Sequence, residues 1–172
     1  MKTIKTTIIL ILLLLLTGCT NKTAITAEEF KKISKEENLK VKDVELTVEN
    51  GQKNEDIKEA VYATSKKGWT LEYYIAKDEK TAKKLYKDTK EIFKSFEVDM
   101  STTETKQKEN YEVYTLTTQT AFYHVCRVED TLLTINANDK NEDQISKVIK
   151  KLGYEKTRNC FLFLTKKINL LD

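Results

Sequence analysis

Proline is absent from this chain of 172 residues, glycine occurs four times and cysteine three times. Collagen-like, proline-rich and low-complexity classes are therefore excluded, and three cysteines are too few for a disulfide scaffold. Histidine occurs once, at position 124. With glycine only at positions 18, 51, 68 and 153, there is no glycine-rich loop to cradle a phosphate and no Gly-x-Ser-x-Gly elbow to present a nucleophile. Arginine is scarce too, standing only at positions 127 and 158 among 30 basic residues. Phosphate recognition favours the bidentate guanidinium fork, so no nucleic-acid partner is expected. The 27 acidic residues guarantee that some carboxylates lie close together, so carboxylate pairs carry no signal. What remains, 40% hydrophobic and 33% charged, is the composition of one globular domain plus a targeting segment.

The long apolar run is also too short for one purpose. Residues 8–16 are nine consecutive aliphatics, whereas a spanning helix needs roughly 20. Preceded by Lys2 and Lys5, the run fits a secretory signal peptide covering residues 1–18. It ends in Leu16-Thr17-Gly18-Cys19, which resembles the lipobox of bacterial lipoproteins. The resemblance implies that Cys19 receives a thioether-linked diacylglyceryl group and, after cleavage behind Gly18, becomes an acylated N-terminus. The implied address is the extracytoplasmic face of the cell membrane, with the membrane as a partner through the anchor. Cleavage also removes Lys2 and Lys5, so 30 basic residues become 28 against 27 acidic ones. The basic character of the whole chain thus belongs partly to its export signal.

Residues 19–25 read as the lipidated cysteine and a short tether. Thr26-Ala27-Glu28-Glu29 is a capping box that opens a helix with Ala27, Phe30 and Ile33 on one stripe, and Asn38 suits a left-handed stop. Alternation predicts a strand over residues 41–48, followed by a turn at Asn50-Gly51. Residues 60–64 and 69–76 flank a four-residue loop ending in Gly68, a hairpin. Asp78 caps the strongest helical pattern, running to about Phe96 through Ala82, Leu85, Tyr86, Thr89 and Phe93. Residues 99–110 have no period and read as an exposed loop. Three strands over 111–118, 122–128 and 131–137 follow with short links, then a second capping box at residues 141–144 and a helix ended by Gly153.

Strands that arrive mostly as hairpins predict an α+β fold with a mainly antiparallel sheet and helices on one face, a two-layer sandwich over residues 26–154. Residues 70–76 and 131–137, each leading to a helix, form a weak internal echo. Thr-Ala-Glu-Glu-Phe at its opening and Lys-Lys-Leu-Gly-Tyr at its close make this region similar to small lipoproteins of low-GC Gram-positive bacteria. That resemblance implies a fold type and an address and brings no catalytic residues. Residues 155–172, with apolar runs at 160–164 and 168–171, read as a docked strand or as an aggregation-prone tail.

The chemistry-bearing residues are few. In strand phase His124 shares a face with Phe122, Cys126 and Val128, and a His-x-Cys pair with Cys160 is the nearest approach to a zinc ligand set. No fourth ligand is evident, so no metal and no cofactor are expected, and His124 reads as a packed histidine. Cys126 and Cys160 either pair in an oxidising environment or stay separate, Cys126 then serving as a small buried apolar residue. Tyr74 lies opposite the face of Trp69 and Tyr73. With Tyr114 and Tyr123 it forms a candidate binding face of amphipathic rings for an envelope protein or a glycan. The function expected is a non-enzymatic, lipid-anchored binding module acting through its open sheet face or the 99–110 loop. A small-ligand binding lipoprotein and an envelope enzyme built on His124 are the alternatives.

Overall fold

Thr26 begins the first helix as its side-chain chemistry requires. Its Oγ1 accepts the Glu29 amide at 3.2 Å while the Glu29 carboxylate accepts the Thr26 amide at 2.8 Å, a reciprocal cap of the kind whose loss costs about 1 kcal/mol. In the computed structural model, which describes residues 22–48, 51–138 and 141–154, that helix is α1, Ala27–Glu36. Strands β1 (Lys40–Asp43), β2 (Ile57–Thr64) and β3 (Thr70–Ala76) follow, then α2 (Glu79–Lys94). The chain continues through β4 (Thr102–Gln107), β5 (Tyr111–Thr117), β6 (Ala121–Val128) and β7 (Thr131–Asn138) to α3 (Glu142–Lys151). Asn38 adopts φ 61° behind α1, and Gly153 adopts φ 76° behind α3.

All strands form one antiparallel sheet in the order β1-β2-β3-β7-β6-β5-β4, giving the expected α+β class. β7 lies at its centre, and successive side chains on a strand point to opposite faces. One face carries Leu71, Tyr73, Leu133, Ile135, Cys126 and Val113, packed against Phe30 of α1, Ile145, Val148 and Ile149 of α3, and Leu152 just behind it. Phe30 stacks on Tyr73 with ring centroids 4.8 Å apart. The other face carries Leu132, Val125, Tyr114 and Leu116 and packs against Tyr86 and Phe93 of α2. Helices α1 and α3 thus share a face as expected, whereas α2 lies on the opposite one. Its apolar stripe finds a second apolar surface there because the central strands are buried on both sides. The echo between β3-α2 and β7-α3 accordingly does not extend to helix placement.

Four local expectations change. The strand foreseen over 41–48 ends at Asp43, and Thr47 forms an isolated bridge with Lys53 instead. The loop foreseen over 99–110 contains β4, paired to β5 along its whole length. Asn141 caps α3 without a side-chain hydrogen bond, so no capping box forms there. Residues 22–25 are docked rather than a free tether: Lys22 is buried, and Ala24 and Ile25 pack against the core. Asn50, Cys19 and residues 155–172 lie outside the described residues. Among the described residues no helix is long and apolar enough to cross a membrane.

Candidate functional site

Tyr74, Tyr114 and Tyr123 do share a face, the one under α2. Tyr74 stands opposite Leu132, Tyr114 opposite Val125, and Tyr123 opposite Leu116. That face is not open at the tyrosines. Tyr114 is 2% exposed, with the Lys90 ammonium 5.6 Å from its ring centroid. Tyr123 packs on Phe93 and Phe96 with centroids 5.3 and 5.2 Å away. The expected row of three accessible rings is therefore roofed by α2, since the same amphipathic surface that suits a ligand suits a helix. Tyr114 is buried, Tyr123 is half-buried beneath the end of α2, and Tyr74, also half-buried, lines the space beside the helix.

Beside α2 the sheet leaves a cleft of about 400 Å³. Its floor is Glu72 and Tyr74 of β3 with Leu132, Thr134 and Asn136 of β7. Leu85, Thr89, Ile92 and Phe93 of α2 form one wall, and Leu46, Asn54 and Ile57 form the other. Glu72 is the chemical centre. Its Oε2 accepts the Tyr74 hydroxyl at 2.6 Å and the Thr134 hydroxyl at 3.1 Å, and the Tyr62 hydroxyl lies 3.3 Å from that of Tyr74. The pleat explains this grouping, because Glu72 and Tyr74 are two apart on β3, Thr134 faces Glu72 across β7, and Tyr62 faces it across β2. Burial, with the Glu72 hydrogen bond second, holds the Tyr74 phenol well above its usual pKa. It stays protonated and donates, so the group presents a fixed carboxylate acceptor between apolar walls. Toward the end of α2 large apolar side chains stand in solvent: Ile92, in the cleft wall, is 56% exposed, and Phe96, Val98 and Met100 follow, Met100 at 82%.

His124 and Cys126 lie on the other face, inside the α1/α3 core. His124 Nδ1 is 2.9 Å from the Thr115 hydroxyl, and the ring stacks on Phe122 with centroids 6.2 Å apart. Nε2 is buried with no hydrogen-bond partner among the described residues. Burial drives the imidazole pKa down to about 4 and the Cys126 thiol up to about 12. Cys126 is a free thiol, and Cys160 lies outside the described residues. No group of three or more candidate metal ligands occurs among the described residues.

Sequence reasoning passed over Arg127. Its side chain is fully buried on the α2 side, with Nε 2.7 Å from Glu112 Oε2 and Nη1 3.2 Å from Glu79 Oε1. It also donates to the carbonyls of Glu129 at 2.9 Å and Glu109 at 3.4 Å. It ties the first turn of α2 to two hairpin ends. Its position among apolar neighbours on a central strand was the available signal, because a buried guanidinium needs partners. Comparison of the chain with protein-family models, curated proteins and solved structures found no match.

Proposed function

We propose that this chain is a lipid-anchored cell-surface lipoprotein whose domain is a non-enzymatic binding module, held by an acylated Cys19 on the extracytoplasmic face of the cell membrane. The anchor rests on Leu16-Thr17-Gly18-Cys19 behind its short apolar run. Two acyl chains, at about 0.8 kcal/mol per buried methylene, retain a protein on a bilayer where one does so only marginally. Replacing Cys19 by Ala is expected to move the protein out of the membrane fraction. An unchanged membrane-bound amount contradicts the anchor.

The binding half rests on the cleft beside α2. Apolar walls with a few fixed polar groups are the general make-up of a recognition site. Here Glu72 supplies an acceptor for an amide or amine donor, and the exposed Ile92 supplies apolar contact area in the wall, with Phe96 and Met100 exposed beyond the end of α2. A peptide segment of an envelope protein matches that combination. A glycan partner loses its support, because two of the three tyrosine rings lie under α2. Crosslinking in intact cells is expected to recover one partner from the natural chain and none from Glu72→Gln combined with Ile92→Lys, the variant retaining its thermal transition. Undiminished recovery from the folded variant contradicts the site. A small ligand in the same cleft is the second reading, favoured by its volume of about 400 Å³, which falls within the range of about 300–1,000 Å³ usual for small-molecule sites. Native mass spectrometry decides it by a retained mass that Glu72→Gln loses.

A further inference from the structure

The stretch between the anchor and the domain is held in place almost from its start. Lys22 is 8% exposed. Its ammonium donates to the Gly153 carbonyl at 2.6 Å and lies 5.4 Å from the Tyr111 ring centroid. Asn110 grips its backbone, donating through Nδ2 to the Lys22 carbonyl at 2.6 Å and accepting the Lys22 amide at 3.4 Å. Further along, the Tyr73 hydroxyl donates to the Ile25 carbonyl, and Ala24 and Ile25 pack on the core. Only Thr20 and Asn21 separate Cys19 from this docked chain. Three residue steps of about 3.3–3.6 Å reach at most about 11 Å.

The rest of the domain extends away from that point along the strands. β5 starts at Tyr111 beside Lys22, and α2 starts at Glu79 beside Arg127, which also holds the Glu109 carbonyl of the same end. A 16-residue helix rises about 24 Å, and it delivers Phe96 onto Tyr123. Met100 then lies against the turn between β5 and β6, its Sδ 3.5 Å from Gln119 Nε2. The apolar rim and the docked N-terminal stretch therefore occupy opposite ends of the domain.

Resting on the anchoring proposed above, we infer that the docked stretch sets a fixed orientation on the membrane. The end built from Lys22, Asn110 and Gly153 faces the lipid headgroups, and the end carrying Phe96, Val98 and Met100 points away from them. The near end is electrically mixed, with Lys58 paired to Asp130 and Lys77 to Asp56, so the orientation comes from the short covalent reach and is independent of anionic lipid.

The test uses the lipidated protein in phosphatidylcholine vesicles that contain headgroup nitroxide lipid, with a fluorescent noncanonical amino acid at Glu109 or at Gln119. The fluorophore at 109 is expected to lose intensity, and the one at 119 to match vesicles lacking nitroxide. Inserting a ten-residue Gly-Ser segment between Asn21 and Lys22 is expected to abolish the difference while leaving the domain folded. Equal quenching at both positions of the natural chain, or a difference that survives the insertion, overturns the fixed orientation while the anchor stands. A protein of unmodified mass that fails to float with vesicles overturns the anchor and the orientation with it.

Discussion

Leu132 and Leu133 are neighbours on β7 and both are buried, yet they face different environments. Leu133 points into the α1/α3 side, into the apolar cluster that holds Phe30, Tyr73, Ile135, Ile145 and Val148. Leu132 points to the α2 side, where the cleft brings Glu72, Thr134 and Asn136 to the surface and α2 leaves Ile92 in solvent. The helical roof differs to match, with two helices on one side and one on the other. The difference separates two tasks. The α1/α3 side carries the burial that holds the fold, and the α2 side keeps a half-apolar, half-polar surface that one helix cannot cover.

The comparison can be broken most strongly at its closed side. Phe30→Ala removes a ring that is fully buried and stacked on Tyr73, and a cost of about 3–5 kcal/mol is expected in denaturant unfolding. The exception on the α2 side is next. Glu112→Ala leaves the buried Arg127 guanidinium with only the half-exposed Glu79 as an ionic partner. The expected loss is about 3 kcal/mol, and replacing both members by apolar residues should restore most of it.

Acid attacks the closed side through His124. Its ordinary pKa of 6.5 falls to about 4 in the fold, so the unfolded chain takes up the proton first. The stability held by the neutral ring is complete above pH 6.5 and is lost progressively as pH falls toward 4. The loss totals about 3 kcal/mol at 1.36 kcal/mol per unit. A plot of unfolding free energy against pH should slope over that window in the natural chain and flatten in His124→Gln. The smallest stability effect belongs to Ile92→Lys on the open side, expected within about 0.5 kcal/mol because the side chain is already in solvent. Combined with Glu72→Gln, the same substitution is expected to abolish partner capture.

What could be read from the sequence was what local chemistry decides. The Thr26 capping box, the left-handed Asn38, the Asp78 cap, the stripe of α2 and the β5-β6-β7 meander each depend on residues within a few positions of one another. The misses depend on distant partners. β4 escaped because Thr102–Gln107 is exposed on both faces, as suits an edge strand that must not recruit another chain, and polar alternation carries no signal. Val44, Leu46 and Val48 have strand periodicity, but the chain leaves the ladder after Asp43, and Leu46 becomes a cleft wall. The period of α2 fixes its apolar stripe without telling which side of the sheet receives it. That single unknown turned Tyr114 and Tyr123 from an open face into the bed of a helix. The polar residues 22–25 resemble a tether until Asn110 and Gly153, far along the chain, are brought beside them.

The most direct test of the division between the two sides is site-specific photocrosslinking in intact cells, with the photoreactive residue at Ile92 beside the cleft or at Lys147 on exposed α3. A discrete protein adduct from position 92, absent from position 147, is the predicted result. Adducts from position 147 with none from position 92 would place recognition on the α1/α3 side and contradict it.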